Sequence, residues 1–248
     1  MKLILDIGNT RMKAAVIDSG TVVECTAGAE PQSLQTERLC SQYGIEGAIA
    51  SVVGRAPDFS ALLPTGILKH FHLLSHTSRL PIGIDYETPQ TLGMDRVAAA
   101  VGARQLCPKG ALLIVDAGSC ITVDLLDDTD VFRGGAILPG IEMRLRAMHQ
   151  HTASLPAVEL SPDEWNGIVQ APLTGKSTRA SMTAGVLRAS CFEIVGFMRE
   201  YRNIYPDVKL FLTGGDAVFF AKQLIFPNFA NPNLVYIGLE KILEINMF

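Results

Sequence analysis

The chain has 248 residues, of which 48% are apolar and 19% charged, with a formal net charge of −4. Such a composition can supply one large hydrophobic core or two of ordinary size. An acidic balance without a basic stripe argues against nucleic acid as a principal partner. The N-terminal apolar run is interrupted by Asp6 and is too short for a secretory signal, and no stretch approaches a membrane span. The five scattered cysteines form no Cys-x-x-Cys pair, which predicts free thiols in a reducing cytoplasm and argues against structural zinc.

Apolar periodicity predicts an α/β chain. Strand-like runs lie near residues 2–6, 12–18, 21–25, 46–53, 112–116, 121–126, 131–137, 208–213 and 234–237. Helical patterns cover residues 31–43, 94–107, 140–149, 178–203, 216–224 and 238–246. Each half begins with a β-hairpin followed by helices, so we expect two similar subdomains, residues 1–108 and 109–248.

A short phrase occurs twice, about one domain apart. Leu3–Thr10 (LILDIGNT) returns as Leu113–Cys120 (LIVDAGSC), and each copy is an apolar run that ends in Asp-x-Gly and a small residue. An alternating run follows each copy, so both predict a buried strand, a glycine turn and a returning strand. Such turns expose backbone N–H groups beside a carboxylate, which suits a phosphate chain that carries a divalent metal. Ordinary hairpin chemistry would explain one copy, but two copies predict a nucleotide clamp. A weaker repeat follows, because Ala48–Gly54 and Leu210–Gly215 both end in a hydroxyl residue and glycine.

Two other known site patterns fail. Gly175-Lys176-Ser177 resembles the end of a Walker A loop, but that motif requires glycine where this chain has Gln170. No two glycines are spaced Gly-x-Gly, so the dinucleotide fingerprint is absent as well. His149 and His151 would point apart on a helix and have no third ligand nearby, so a solvated helix end explains them better than a metal site.

Six further motifs accompany the first hairpin in a fixed order. In chain order the motifs are Asp6-Ile-Gly-Asn-Thr-Arg-Met-Lys13, Tyr86, Gly93-Met94-Asp95-Arg96, Asp116-Ala-Gly118-Ser119, Gly134–Gly140, Gly175–Thr178 and Leu212–Ala217. Together they resemble type III pantothenate kinases, a family of the acetate kinase–sugar kinase–heat shock protein–actin superfamily. The resemblance runs from end to end and implies two tandem ribonuclease-H-like, actin-like ATPase subdomains with mixed sheets flanked by helices. One departure is that the family usually has Thr-Ala where this chain has Ser119-Cys120, although serine keeps a hydroxyl.

The resemblance and the chemistry of the residues together predict an ATP site. The predicted ATP- and phosphate-binding residues are Asp6, Ile7, Gly8, Asn9, Thr10, Arg11, Met12, Lys13, Gly118, Ser119, Gly214 and Gly215. Carboxylates so close to phosphates require cations, so Asp6 is expected to use Mg²⁺ with the ATP, directly or through water. The family resemblance adds a monovalent cation, K⁺ or NH₄⁺, at Asp116. Without the hairpin and the resemblance, Lys13 would be interpreted as an ordinary exposed lysine on a strand. Gly214-Gly215 would be interpreted as an ordinary turn before a helix.

Asp95 is the predicted general base. It lies in the first turn of a predicted helix, where acidic residues are common for purely structural reasons. The surrounding Gly93-x-Asp-Arg motif favours the catalytic interpretation, in which Asp95 accepts the substrate hydroxyl proton. By resemblance, the pantothenate pocket is lined by Tyr86, Gly93, Met94, Asp95, Arg96 and Thr178. Thr178 also fits a helix N-cap.

The predicted function is ATP-dependent phosphorylation of pantothenate, the first step of coenzyme A biosynthesis, in the cytoplasm. The alternative is a nucleotide-binding regulatory protein resembling the transcription-activator-like relatives, although such a sensor could bind ATP without Asp95. A polyphosphate hydrolase is a second rival, but it would need a long basic channel. The predicted partners are ATP and pantothenate, with no nucleic acid and no membrane. Family resemblance also implies a homodimer, for which the apolar pattern of residues 178–203 offers a face, unless that helix is buried in the monomer.

Overall fold

The computed structural model describes residues 1–8, 11–168 and 170–247. The chain forms two compact units by its internal contacts. The first unit comprises Met1–Lys109, Asp130–Arg133 and Asn233–Phe248, and the second comprises Gly110–Thr129 and Gly134–Pro232. The segment after Asn233 therefore packs with the N-terminal half. The predicted domain division at residues 108 and 109 remains a proposal.

The strands and helices follow one another along the chain. The strands are β1 (Lys2–Ile7), β2 (Met12–Asp18), β3 (Thr21–Gly28), β4 (Gly47–Val52), β5 (Phe71–Leu73), β6 (Gly83–Ile84), β7 (Leu112–Ala117), β8 (Cys120–Leu126), β9 (Val131–Pro139), β10 (Lys209–Thr213) and β11 (Asn228–Ala230). The α-helices are α1 (Thr36–Gln42), α2 (Thr65–Leu68), α3 (Met94–Leu106), α4 (Ile141–Gln150), α5 (Pro162–Trp165), α6 (Thr178–Thr183), α7 (Ala189–Ile204), α8 (Ala217–Gln223) and α9 (Leu234–Asn246).

The sheet of the first unit has the order β3-β2-β1-β4-β5. β1 pairs antiparallel with β2 and parallel with β4, so the hairpin edge is antiparallel and the other edge parallel. Leu3, Leu5 and Ile7 alternate along β1 and enter one apolar core with residues of β2 and β4. The intervening residues of β1, Ile4 and Asp6, point to the opposite face.

Helices α3 and α9 pack against each other in the first unit at very short range. A side chain on Gly102 would place its Cβ 2.0 Å from the carbonyl oxygen of Leu234, and one on Gly238 would place it 1.8 Å from that of Ala98. The two glycines therefore let the backbones touch. The neighbouring alanines of α3, Ala98 to Ala100, are buried, which keeps the interface thin.

The second sheet has six strands in the order β6-β9-β8-β7-β10-β11, and the five from β9 to β11 lie mostly in the second unit. β7 pairs antiparallel with β8 and parallel with β10, and β10 pairs parallel with β11. These five strands have the order and pairing of the first sheet, so the prediction of two similar α/β halves with mixed sheets is confirmed. The first residues of β9, Val131 and Phe132, belong to the first unit and pair there with β6.

Most predicted elements are present, with one error of type. Residues 234–237, predicted as a strand, form the first turn of α9. The run Leu-Val-Tyr-Ile is short and apolar, and periodicity alone cannot distinguish a strand from a buried helix in such a run. Because helix α9 is buried on several sides, its first turn has no polar residues at helical spacing that would have marked it as a helix. The short elements β5, β6, β11, α2 and α5 are absent from the prediction.

The predicted helix over residues 178–203 is present as three joined segments. Helix α6 passes through a π-helical turn, Ala184–Arg188, into α7. Met182, Val186 and Met198 are buried in the core of their own unit, so these three residues are not available for a dimer face. Phe192 remains 58% exposed.

All cysteines are free thiols. No helix within the described residues is both long enough and apolar enough to cross a bilayer.

Candidate active site

The first hairpin places three polar side chains in one row at the end of its sheet. In the strand register, Asp6 of β1 lies opposite Lys13 of β2 and beside Ser51 of β4. Residues in register on neighbouring strands point to the same face, so these three side chains are neighbours. The turn that joins the strands closes with a hydrogen bond from the Gly8 N–H to the carbonyl of Arg11, 3.1 Å long. The predicted residues Asn9 and Thr10 lie outside the described residues.

The surroundings of Asp6 disfavour the charged form of its carboxyl group. Its side chain is 21% exposed, and the nearest ammonium nitrogen, of Lys13, lies 3.9 Å from Oδ2. Burial raises the pKa of Asp6, the Lys13 charge partly offsets this rise, and the Asp95 carboxylate adds to it. The two carboxylates therefore influence each other electrostatically within the first unit. A bound cation would relieve this cost.

Tyr236 of α9 contributes a buried hydroxyl to the same neighbourhood, and the sequence reasoning missed it. Its oxygen lies 3.8 Å from the Cys25 sulfur, and burial raises its pKa, with Cys25 and Asp6 adding to the rise and Arg11 opposing it. Tyr236 therefore stays protonated at neutral pH. The sequence signal was hidden because this segment was predicted as a strand in the other half.

Helix α3 begins beside this row and carries the predicted base. Gly93 precedes its first turn, and Asp95 lies in that turn as predicted. Asp95 Oδ1 accepts a hydrogen bond from the Arg96 N–H, 3.0 Å long. A side chain on Gly93 would place its Cβ 2.7 Å from the same Asp95 oxygen, so glycine leaves room for the carboxylate. Met94 is half-buried at the helix start.

Phe132 connects two of the residues predicted for the substrate pocket. The Arg96 guanidinium carbon lies 5.8 Å from the centre of the Phe132 ring, and the Arg96 side chain is buried. Asp85, which directly precedes Tyr86, donates its N–H to the Phe132 carbonyl. Arg96 and the residue before Tyr86 therefore both contact Phe132 of β9. No local sequence pattern points to Phe132.

The second hairpin is the meeting point of three motifs in the second unit. Asp116 and Ala117 end β7, and Gly118 and Ser119 form the turn. The Gly140 N–H donates to the Ser119 carbonyl at 3.1 Å, and the Asp216 N–H donates to the Ala117 carbonyl at 2.9 Å. The motifs Gly134–Gly140 and Leu212–Ala217 therefore both contact the hairpin turn.

Two glycines make this convergence possible. A Cβ on Gly140 would lie 2.1 Å from the Gly118 carbonyl oxygen. A Cβ on Gly214 would lie 2.2 Å from the Ala117 carbonyl oxygen and 2.4 Å from Asp116 Oδ1, and its φ of +90° also favours glycine. Gly118 has open space at the same point, so its backbone is accessible. Gly215 follows Gly214 and is exposed.

Asp216 is a further carboxylate beside this turn. Burial and the nearby Glu142 raise the pKa of Asp216 to about 6. An acidic group with a raised pKa is disfavoured in its charged form, so this corner of the second unit, like the Asp6 row of the first, favours cations.

Thr178 is exposed at the first residue of α6 in the second unit. The N-cap is its neighbour Ser177, whose hydroxyl accepts from the Ala180 N–H, so the capping role considered for Thr178 is wrong. Its side chain is therefore not used as the cap. Thr178 lines a shallow cleft of about 630 Å³ with Met148 and Ser181. Arg11 is exposed, whereas Met12 is half-buried and Ile7 is in the core.

Comparison with known proteins identifies the family. The family model for type III pantothenate kinases matches residues 2–200. The chain belongs to the type III pantothenate kinase family. The type III pantothenate kinase of Cytophaga hutchinsonii is 39% identical over 251 residues, and the match covers 100% of both chains. The enzyme of the same name from Phocaeicola vulgatus is 38% identical over 250 residues, with 99% of each chain covered.

Solved structures with the same fold include regulators and kinases. A Campylobacter jejuni protein described as a Baf family transcriptional activator has a TM-score of 0.59 at 23% identity, with 98% of each chain covered. Component A of (R)-2-hydroxyglutaryl-CoA dehydratase from Acidaminococcus fermentans has a TM-score of 0.56 at 14% identity, with 99% of this kinase and 96% of that chain covered. A Listeria monocytogenes protein described as an N-acetylmannosamine kinase has a TM-score of 0.54 at 11% identity, with both chains fully covered. At these identities the likeness shows the fold alone, which is that of actin-like ATPases and sugar kinases.

The carboxylates of this kinase fit the cations that ATP chemistry uses. Mg²⁺ is commonly held through one or two carboxylates together with nucleotide phosphates, and Asp6 offers a hard oxygen ligand at a glycine turn. Asp116 offers another, beside the close-packed carbonyl of Ala117. No group of three or more His, Cys, Asp or Glu side chains suited to a metal ion occurs among residues 1–8, 11–168 and 170–247.

Proposed function

We propose that this kinase transfers the terminal phosphoryl group of ATP to the primary hydroxyl of pantothenate, the first step toward coenzyme A. The observation that carries the proposal is the row of Asp6, Lys13 and Ser51 near the strand ends of the first sheet, together with Asp95 in the first turn of α3, whose charge adds to the raised pKa of Asp6. One carboxylate can accept a proton from an alcohol while the other faces a charged phosphate chain. Membership of the family supports the choice of pantothenate as the alcohol.

Asp95 is the proposed general base. As the hydroxyl oxygen bonds to the γ-phosphorus, the bond from that phosphorus to the bridging oxygen breaks, ADP leaves, and the hydroxyl proton passes to the Asp95 carboxylate. Phosphoryl transfer has a loose transition state, so orientation and charge neutralisation contribute more than early deprotonation. The hydrogen bond from the Arg96 N–H fixes one Asp95 oxygen, which helps to orient the other.

The hairpins are the proposed phosphate-binding elements. Gly8 and Gly118 allow close backbone approach, and Lys13 supplies a point charge. The same proposal includes Ile7, Asn9, Thr10, Arg11, Met12, Ser119, Gly214 and Gly215 as ATP-binding residues. Mg²⁺ would be held by Asp6 and a monovalent cation, K⁺ or NH₄⁺, by Asp116. When bound, these cations neutralise phosphate charge.

The proposed substrate pocket contains Tyr86, Gly93, Met94, Arg96 and Thr178. Arg96 is suited to the pantothenate carboxylate because a guanidinium can donate two parallel hydrogen bonds. Its position against Phe132 favours a defined orientation. We also propose a cytoplasmic homodimer whose domains divide at residues 108 and 109.

A coupled assay of ADP release, with and without pantothenate, tests the function. We expect ADP to form only when pantothenate is present, and the acceptor to gain one phosphoryl group by mass spectrometry. ADP release that is independent of pantothenate would indicate a hydrolase. ATP binding without turnover under either condition would favour the regulatory alternative.

A further inference from the structure

Ser51 of β4 carries a buried hydroxyl that the assignments above do not use. The residue is 1% exposed, and its oxygen has no hydrogen-bond partner within the described part of the chain. An unpaired polar group in a protein interior costs free energy, whereas alanine at the same position would cost none. The same strand has alanine at Ala48 and Ala50, so small size alone does not require serine.

The neighbours of Ser51 are the residues of the proposed reaction. Ser51 lies beside Asp6 in the parallel register of β4 and β1, and Lys13 continues the row on β2. Side chains in register share one face, so the Ser51 hydroxyl points to the side of the sheet where Asp6 lies. Helices α3 and α9 both pack on β4, and α3 carries the proposed base Asp95 in its first turn.

The second unit repeats this arrangement. Asp116 of β7 lies beside Thr213 of β10 in the same parallel register, and Thr213 is 1% exposed. A buried hydroxyl residue therefore adjoins the strand-end aspartate in both sheets. The weaker sequence repeat, Ala48–Gly54 and Leu210–Gly215, therefore corresponds to a strand whose last hydroxyl residue lies beside the aspartate of the neighbouring strand.

We infer that Ser51 is a positioning residue whose hydroxyl donates a hydrogen bond to one oxygen of the Asp6 carboxylate, leaving the other oxygen for the metal of the metal–ATP complex. The inference rests on the proposed role of Asp6. The Ser51 hydroxyl changes direction by rotation about the Cα–Cβ bond, and the Asp6 carboxylate is its neighbour in the strand register. The bond strengthens when Asp6 is ionised, so it serves the charged form that binds a cation.

The variant Ser51→Ala tests this inference. We expect kcat/KM for ATP to fall about tenfold and the Mg²⁺ concentration for half-maximal activity to rise, because one bond to a charged group is lost. KM for pantothenate should not change. The melting temperature measured without metal and ATP should stay the same or rise, because the hydroxyl has no partner among the described residues in that state, whereas the stabilisation by metal–ATP should be smaller than in wild type. Ser51→Cys keeps a side chain of similar size but has a weaker hydrogen-bond donor, so its kcat/KM for ATP should lie between the values of wild type and Ser51→Ala. Unchanged activity and Mg²⁺ dependence in both variants would overturn the inference.

Two control variants distinguish an effect through Asp6 from the general loss of a buried hydroxyl. Ser190→Ala removes an equally buried hydroxyl that donates to the Val186 carbonyl in the second unit, and it should leave the Mg²⁺ dependence unchanged. Adding Ser51→Ala to Asp6→Asn should cause little further loss if Ser51 acts through Asp6. Normal activity of Asp6→Asn would refute the Asp6 assignment itself, whereas an impaired Asp6→Asn with a normal Ser51→Ala would refute only the role of Ser51.

Discussion

Asp6 and Asp95 lie in the same unit, but their surroundings suit them to different tasks. Asp6 ends a buried strand, where the protein raises its pKa and only the Lys13 ammonium, 3.9 Å away, offsets the effect. Asp95 lies in the first turn of α3, where the helix dipole favours a negative charge. A carboxylate that needs a cation is suited to binding metal–ATP. A carboxylate that a helix start keeps ionised is free to accept a proton, and a weak base is sufficient because phosphoryl transfer has a loose transition state.

Asp95→Asn should separate chemistry from binding. The amide is nearly isosteric but cannot accept the proton, so we expect kcat to fall at least roughly 10²-fold while ATP binding is retained. Steady-state kinetics and calorimetric titration with ATP measure the two effects. Asp18→Asn, at an exposed strand end, is the matched control and should behave as wild type. Near-normal turnover of Asp95→Asn would exclude Asp95 as the base.

Asp116→Asn should weaken the response to monovalent cations. Its carboxylate supplies the charge that would hold K⁺ or NH₄⁺, so wild type should be more active in these ions than in Na⁺, and the difference should shrink in the variant. Asp128→Asn, exposed in the same unit, should keep the full difference. Equal activity of the wild type in Na⁺, K⁺ and cation-free buffer would refute the cation site.

For individual residues, the sequence predicts the site side chains that belong to a local motif. It misses those that join the site only through the packing of elements far apart in sequence. Asp95 and the glycines of both hairpins are found because the turn and helix-start chemistry is contained in a few consecutive residues. Ser51 and Tyr236 could not be found in this way. Ser51 lies beside Asp6 only through the register of two strands, in which the paired residues are 45 positions apart in sequence. Tyr236 belongs to the first unit, where it contacts Cys25, only because α9 packs there.

Among the elements, the α3–α9 contact is the tightest constraint. Gly102→Ala should destabilise the protein by about 1–3 kcal/mol, because its Cβ would lie 2.0 Å from the carbonyl oxygen of Leu234 and backbone must move. Gly66→Ala, in α2 with open space at its Cβ, should instead stabilise the protein by about 0.5 kcal/mol. Urea denaturation of both variants provides the measurement. Equal effects of the two substitutions would contradict the close packing.

The start of α6 is tied to α5 by an ion pair with a defined pH dependence. Glu164 forms a capping box with Ser161 and accepts two hydrogen bonds from Arg179, 2.7 and 3.0 Å long. The Arg179 guanidinium, helped by the Ser161 bonds, lowers the pKa of Glu164 from 4.5 to about 2. Because the pKa is lowered on folding, the stabilisation is present above pH 4.5 and is lost as the pH falls through about 2.

Glu164→Gln should therefore lower the free energy of unfolding at pH 7 by about 1 kcal/mol, a modest value because Arg179 is half exposed and screened by solvent. The difference from wild type should shrink steadily between pH 4.5 and pH 2. Denaturation at several pH values, in a double-mutant cycle with Arg179→Gln, isolates the pair. A difference that is independent of pH would show that the charge of Glu164 contributes nothing.

Element types were predictable where a pattern is long and periodic. The hairpins and α3 have the expected types because alternation or helical spacing extends over the whole element. The segment 234–237 was assigned wrongly because its burial in α9 depends on α3, which lies far away in sequence. The same reason explains why β6 was missed, since its two residues are a strand only through pairing with β9.

The two units contain similar sheets but differ in the helices that cover them. Five strands follow the same order in both sheets, β1 and β7 each carry an aspartate near their end, and the second sheet has β6 as a sixth strand. The first unit covers one face of its sheet with α3 and α9 and the other face with the segment that contains α1 and α2. The second unit packs α4, α6, α7 and α8 into its own core. The duplication was predictable from the repeated phrase, but which helix would cover which sheet was not.

The exposed apolar residues of the second unit are the basis of the final prediction, that the active unit is a homodimer. Phe192 is 58% exposed and Ile225 72% exposed, and both line an open groove of about 400 Å³ with Val195 and Gly196. Exposed apolar surface of this kind is typical of protein–protein contacts. Sedimentation at micromolar concentration should give about twice the 26.8 kDa mass of the chain.

Phe192→Asp tests the same prediction. A charge at the centre of an apolar contact should dissociate the dimer and lower the turnover together. Val23→Asp places the same charge on an exposed apolar position of the first unit, so it should change neither. Sedimentation and turnover are measured on the same samples, so that loss of assembly and loss of activity can be compared directly. If the substitution at Phe192 gave a fully active monomer, or if wild type stayed monomeric and active at assay concentration, the homodimer would not be required for catalysis.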